Sequence, residues 1–167
     1  MYTIGLSSIT IGAIASDGGM GTTLASLGYT FRDTCKLTQE DSQSTEFYAE
    51  EVDDPVFIMD VAGKTLFNFS IMNPELTTLQ SLLGGTVTGT GDAAKWAAPA
   101  TIPIIEKSVK ITPQQGLAFE IPRMKIVAKI NGEFSKKGLL LIEVTGTALV
   151  PTKAGVAKFT AYKVVAA

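Results

Sequence analysis

Two runs of strict alternation constrain this chain more than anything else in it. Met124, Ile126, Ala128 and Ile130 alternate with Lys125, Lys129 and Asn131, and Leu140, Ile142, Val144, Ala148 and Val150 alternate with Glu143, Thr145 and Thr147. A period of two sends successive side chains to opposite faces of an extended backbone, so each run predicts a strand with one buried and one wet face. Asn131-Gly132 and Lys136-Lys137-Gly138 are both turn signals between them. The second is the expected reversal, with Glu133 and Phe134 continuing the first strand past a glycine bulge. Upstream, Ile104 to Ile111 and Leu117 to Ile121 predict two more strands separated by Thr112-Pro113-Gln114-Gln115-Gly116. The centre of the chain therefore reads as an antiparallel meander.

The flanking sequence supplies the remaining elements. Val56 to Val61 and Thr65 to Ile71 read as a hairpin near the core, with Phe67, Phe69 and Ile71 facing inward. Asn73-Pro74-Glu75 predicts a helix start, with Asn73 as the cap, Pro74 in the first turn and an acid near the positive end of the dipole. Leu76, Leu79 and Leu83 would form its apolar stripe, and Gly84-Gly85 would stop it. Thr86 to Pro103, which holds the single Trp96, is too long for a tight turn and too apolar for a linker, and predicts a loop packed on the body. Lys153 to Ala167 contains a further strand with Phe159 and Tyr162 on opposite faces. At the other end, residues 1–16 carry Ile4, Leu6, Ile9 and Ile11 and precede the breaker Asp17-Gly18-Gly19-Met20-Gly21. With no Lys or Arg before the apolar part they do not read as a signal peptide, but as a strand or an N-terminal arm that docks on its own domain or on a neighbour.

Composition decides which functions remain. A chain of 167 residues is expected to be a single domain with its own core. A hydrophobic content of 46% with only 18% charged residues leaves surface available for burial against other protein, which suits a self-associating subunit as well as a bland monomer. The formal charge is −2 and no basic run is longer than Lys136-Lys137, so specific nucleic-acid binding is disfavoured. There is no histidine, which removes Ser-His-Asp and Cys-His catalysis and imidazole zinc sites. The single Cys35 has no thiol partner and reads as a small buried hydrophobe.

Gly89-Thr90-Gly91-Asp92-Ala93-Ala94 matches a loose dinucleotide pattern, but Pro99 would cut any helix that followed. Glu50-Glu51 and Asp53-Asp54 lack the alternate spacing of a calcium loop. No enzyme activity, cofactor or metal is expected. The acidic stretch 33–55 reads either as a solvated loop or as an extended hairpin reaching a neighbouring subunit, and Phe47 and Tyr48 in its middle favour the second, because aromatic rings in a charged loop need something to pack against.

A helix ending in Leu83-Gly84-Gly85, a Gly/Thr-rich loop with Trp96 and Pro99, and the segment from Glu106 to Pro151 together resemble the C-terminal half of the major tail tube proteins of tailed bacteriophages. Leu27-Gly28-Tyr29-Thr30 and Glu50-Glu51-Val52-Asp53-Asp54-Pro55 sit where that family has its first strand turn and its long loop. The resemblance runs from Leu27 to Pro151. It implies a mainly β domain of two packed antiparallel sheets with one short flanking helix, in the manner of a sandwich or barrel. It further implies hexameric rings stacked into a hollow tube that conducts genomic DNA without binding it specifically. The implied partners are further copies of the chain, a tail terminator, a tip or baseplate and a sheath, in a virion assembled in the bacterial cytoplasm without membrane insertion. Phe47, Tyr48, Glu50, Glu51, Asp53, Asp54 and Trp96 are the candidate contacts between subunits or rings. An acidic subunit would suit such a conduit, because a basic wall would hold DNA. An inner-tube protein of a contractile injection system and a monomeric ligand-binding β-sandwich are the alternatives.

Overall fold

The computed structural model describes residues 2–164. In chain order the elements are β1 (Ile4–Gly12), β2 (Leu24–Ser26), β3 (Lys36–Gln39), β4 (Gln43–Ala49), β5 (Val52–Val61), β6 (Thr65–Ile71), α1 (Leu76–Leu83), β7 (Thr86–Thr88), a 3-10 turn (Gly91–Ala93), β8 (Lys95–Ala97), β9 (Ile105–Gly132), β10 (Leu140–Ala148) and β11 (Thr160–Val164). Seven strands form one antiparallel sheet in the order β2-β1-β9-β10-β6-β3, with β11 also on β9, while β4–β5 and β7–β8 are separate two-stranded pairs. The fold is mainly β with one short helix, and its large sheet curls into a half-barrel, as the expected sandwich or barrel class requires.

β9 is the spine of this arrangement. Its backbone is extended over 28 residues, yet it cannot be straight. A straight strand rises roughly 3.3 Å per residue, which would hold Lys110 and Glu120 about 33 Å apart. Instead their side chains meet at 3.4 Å, Arg123 Nε reaches Glu106 at 2.7 Å, and Ser108 Oγ donates to the Pro122 carbonyl at 2.6 Å. The stretch therefore doubles back near Gly116, whose φ of 110° favours a residue without Cβ. The two expected strands and the break at 112–116 are thus present as two arms of one extended segment. β1 pairs with 108–115, β11 with 116–120 and β10 with 124–132.

The core is one cluster built on the sheet. Ile9, Ile11, Phe67, Phe69, Ile71, Val109, Ile121, Met124, Ile126, Ile142 and Val144 are buried there together with Leu82 of the helix. Alternation located most of this correctly, but its ends were overextended: Ile130 is exposed near the end of β9, and Val150 is exposed beyond the end of β10 at Ala148. Buried Ser108 accepts from Gly21 N at 2.9 Å while donating to Pro122, so its hydroxyl is satisfied on both sides.

Several expectations need correction. Val56 to Val61 does not pair with Thr65 to Ile71. β5 pairs with β4, and β6 lies between β10 and β3, whose Lys36, Leu37 and Gln39 face Asn68, Phe67 and Thr65. Residues 4–12 are a strand of the main sheet, with Ile9 and Ile11 in the core, so this part of the N-terminal segment docks on its own domain. Asn73 does not cap the helix: its Oδ1 accepts from Tyr29 N at 2.5 Å, and the N-cap is Glu75 without a side-chain bond. The buried helix face is centred on Thr78 and Leu82, with Leu79 beside it, in place of the Leu76/Leu79/Leu83 stripe. Gly84 ends the helix as expected, at φ 77°. Strand β9 stops at Gly132 without continuing through Glu133 and Phe134, and the reversal is at Ser135–Gly138, where Gly138 N reaches both the backbone carbonyl and the hydroxyl of Ser135.

Candidate self-association surface

The acidic stretch leaves the body as a β-hairpin. Gln39 still faces Thr65 at the end of the β3–β6 pair, and Glu40 N donates to Lys64 O, so residues 41–63 form an excursion between two strands that are already joined. Within it Gln43, Thr45 and Phe47 face Val61, Met59 and Phe57. Directly opposed residues share a face, so Phe47, Phe57, Met59 and Val61 make one mainly apolar side together with Gln43 and Thr45, while Glu46, Ser44, Ile58 and Asp60 make the other. The Phe47 and Phe57 rings lie 5.9 Å apart. They nevertheless remain 50% and 60% exposed, because β4 and β5 pack on each other and on little else. A lone two-stranded ribbon is marginal in water, and this one carries its largest apolar side chains uncovered.

Glu50 and Glu51 form the turn at the hairpin tip, and Asp53 and Asp54 follow at the start of β5. Tyr48 is exposed beside them and donates its hydroxyl to Glu46, a bond to a carboxylate that raises the phenol's pKa. Six of the seven candidate contact residues are therefore gathered on one projecting element. Trp96 is elsewhere. It sits on β8, half-buried, with its indole N–H donated to Gly84 O at 2.9 Å, and so ties the β7–β8 pair to the end of the helix. The expected loop over 86–103 is thus packed on the body, but it contains a short ladder.

Beside Trp96 lies a groove of about 510 Å³, walled by Leu82, Leu83, the strap 98–105 and the 125–130 segment of β9. Ile102 and Ile104 stand on its rim, 94% and 79% exposed. This surface was not legible in the sequence. The Ala/Pro-rich strap read simply as a covered loop, whereas it bends at Ala100 and Thr101 and leaves Ile102 and Ile104 exposed.

Charge is divided between the two surfaces. Half of the sixteen acidic residues, and none of the fourteen basic ones, lie between positions 37 and 63, so the rest of the chain has six more bases than acids. The net acidity is therefore concentrated in the hairpin segment, outside the body. In the groove wall Lys125 has no ion-pair partner among the described residues, whereas Arg123 is held by Glu106 and Lys129 by Glu143. The Arg123 and Lys129 bonds hold the Glu106 and Glu143 carboxyls below their ordinary range, Glu143 with additional help from Asn131.

Cys35 is half-buried against the core, and burial pushes its thiol pKa up, which leaves it protonated and unreactive. Gly89 to Ala94 contains the 3-10 turn Gly91–Ala93 between two short strands and no α-helix follows it, so the segment offers no α-helix N-terminus to a phosphate. Among the described residues no three Asp, Glu or Cys side chains converge as metal ligands, and no helix is long and apolar enough to cross a membrane. No protein-family model matches the chain, and a comparison with curated proteins returns no significant match.

Proposed function

We propose that this chain is a structural, self-associating subunit, and specifically a tail tube protein of a tailed bacteriophage. In this reading it forms hexameric rings that stack into a hollow tube for genome ejection. The observation that carries the reading is the β4–β5 hairpin, whose aromatic and aliphatic side chains have no cover within their own subunit. Such a surface is stable in water when a neighbour buries it. The curled sheet agrees with it. A half-barrel leaves open strand edges, and joining edges around a ring removes them. The Ile102 and Ile104 rim supplies a second uncovered surface, as a subunit with contacts on two sides requires.

Negative-stain electron microscopy beside light-scattering mass tests this directly. Rings or hollow tubes of even diameter are expected. A chain that stays monomeric at high concentration, even with tail-tip or baseplate extract added, overturns it. The groove beside Trp96 favours one other reading, a monomeric β-domain that binds an apolar ligand, and saturable binding by such a monomer would establish it.

A further inference from the structure

We infer that the groove beside Trp96 is the receptor for the β4–β5 hairpin of a second copy of this chain. The inference rests on the self-associating reading above and names the two surfaces that meet. The first argument is shape and polarity. The hairpin offers a compact apolar side built on the Phe47–Phe57 pair, with Met59 and Val61 beside it. The groove, at about 510 Å³, is of a size that ordinarily holds a drug-sized molecule, and its walls are aliphatic apart from Trp96, Thr101 and Lys125. Its apolar character continues outward onto Ile102 and Ile104, beyond what a small ligand would cover, so a protein surface fits better than a small molecule.

The second argument is charge. Glu50 and Glu51 stand at the tip of the hairpin with Asp53 and Asp54 just after them, Glu46 and Asp60 lie on the face opposite Phe47 and Phe57, and there is no cation from 37 to 63 to offset them. Lys125 lines the groove without an ion-pair partner among the described residues, and outside positions 37–63 the chain has six more bases than acids. Opposite charge of this kind steers encounter between the two surfaces. The third argument is connectivity. The two surfaces are different patches of one chain, so the contact is heterologous. It leaves a free groove at one end and a free hairpin at the other of every chain of subunits, and propagates until it closes or is capped.

Complementation tests it. Phe47→Ser/Phe57→Ser removes the hairpin's apolar side and keeps the groove, and Ile102→Glu/Ile104→Glu places two anions on the groove rim and keeps the hairpin. All four positions are at least half exposed, so both variants keep the fold, which circular dichroism and a thermal melt check. Each variant alone should lose self-association in light scattering, while an equimolar mixture should form a one-to-one complex that grows no further. If the wild type assembles but either variant alone assembles equally well, or the mixture forms no complex, the pairing is wrong and the self-assembly reading stands. If the wild type itself does not associate under any condition, both fall together.

Discussion

Single side chains in this fold are held by two kinds of constraint, and each predicts a measurable loss. Phe69 is almost fully buried beside Phe67, with ring centroids 5.0 Å apart. Phe69→Ala should cost about 3–5 kcal/mol through lost burial and the cavity left behind, read as a lower urea midpoint with unchanged slope. The other constraint is charge pairing. The Glu106 carboxyl has its pKa depressed in the fold, chiefly by its hydrogen bond to Arg123. A depressed carboxylate contributes stability above its unfolded pKa and loses it as pH falls through the folded value. The wild type should therefore melt above Glu106→Gln at neutral pH, and the gap should close toward about pH 3, below the ordinary carboxylate range. A gap that persists in acid would mean that Glu106 acts by packing, without its charge. Asp17 with Lys153 and Glu143 with Lys129 follow the same sign.

At the scale of elements, the parts legible in the sequence were those whose pattern and packing coincide. The alternation over 124–130 and 140–150 found β10 and the second arm of β9 because one face of each meets the core along most of its length. Phe67, Phe69 and Ile71 found β6 for the same reason. The hairpin was misjoined because Val56 to Val61 is as apolar as a core strand, and local pattern cannot tell burial within the subunit from burial against a neighbour. Asn73 failed as a cap because a tertiary partner, the Tyr29 amide, takes its side-chain oxygen. The groove was hidden because its walls come from three separate segments. The helix end supplies a prediction at this scale. Gly84 has φ 77° and ψ −153°, and a Cβ there would stand 2.6 Å from Pro103 Cγ. Gly84→Ala should cost about 1–3 kcal/mol and loosen the strap over the groove, seen as faster amide exchange across 98–104.

For the molecule as a whole, the hairpin is expected to be separable from the body in stability, and the proposed assembly would need both. Because Gln39 already faces Thr65, replacing residues 42–62 by a short Gly-rich turn closes a β3–β6 hairpin and shortens a loop. That variant should melt within a few degrees of the wild type and remain monomeric, whereas removing residues 2–12 withdraws β1 from the core and should unfold the chain. Glu50→Lys/Glu51→Lys should weaken association most at low salt, because the lost attraction is between exposed charges that salt already screens. Assembly indifferent to that change at every ionic strength would place the tip away from any contact. The doubled-back β9 adds a constraint in time. Its arms bind β1, about a hundred residues earlier in the chain, and β11 near the far end of the described residues. At translation rates of roughly 5–20 residues per second, β1 waits about 5–20 s for its partner to be made. The apolar hairpin emerges early in that interval, ahead of the groove segments. On the proposed pairing, a nascent chain would expose the joining surface well before it presents the receiving one, which would leave the newborn hairpin to the cell's chaperones or to the growing end of an existing assembly.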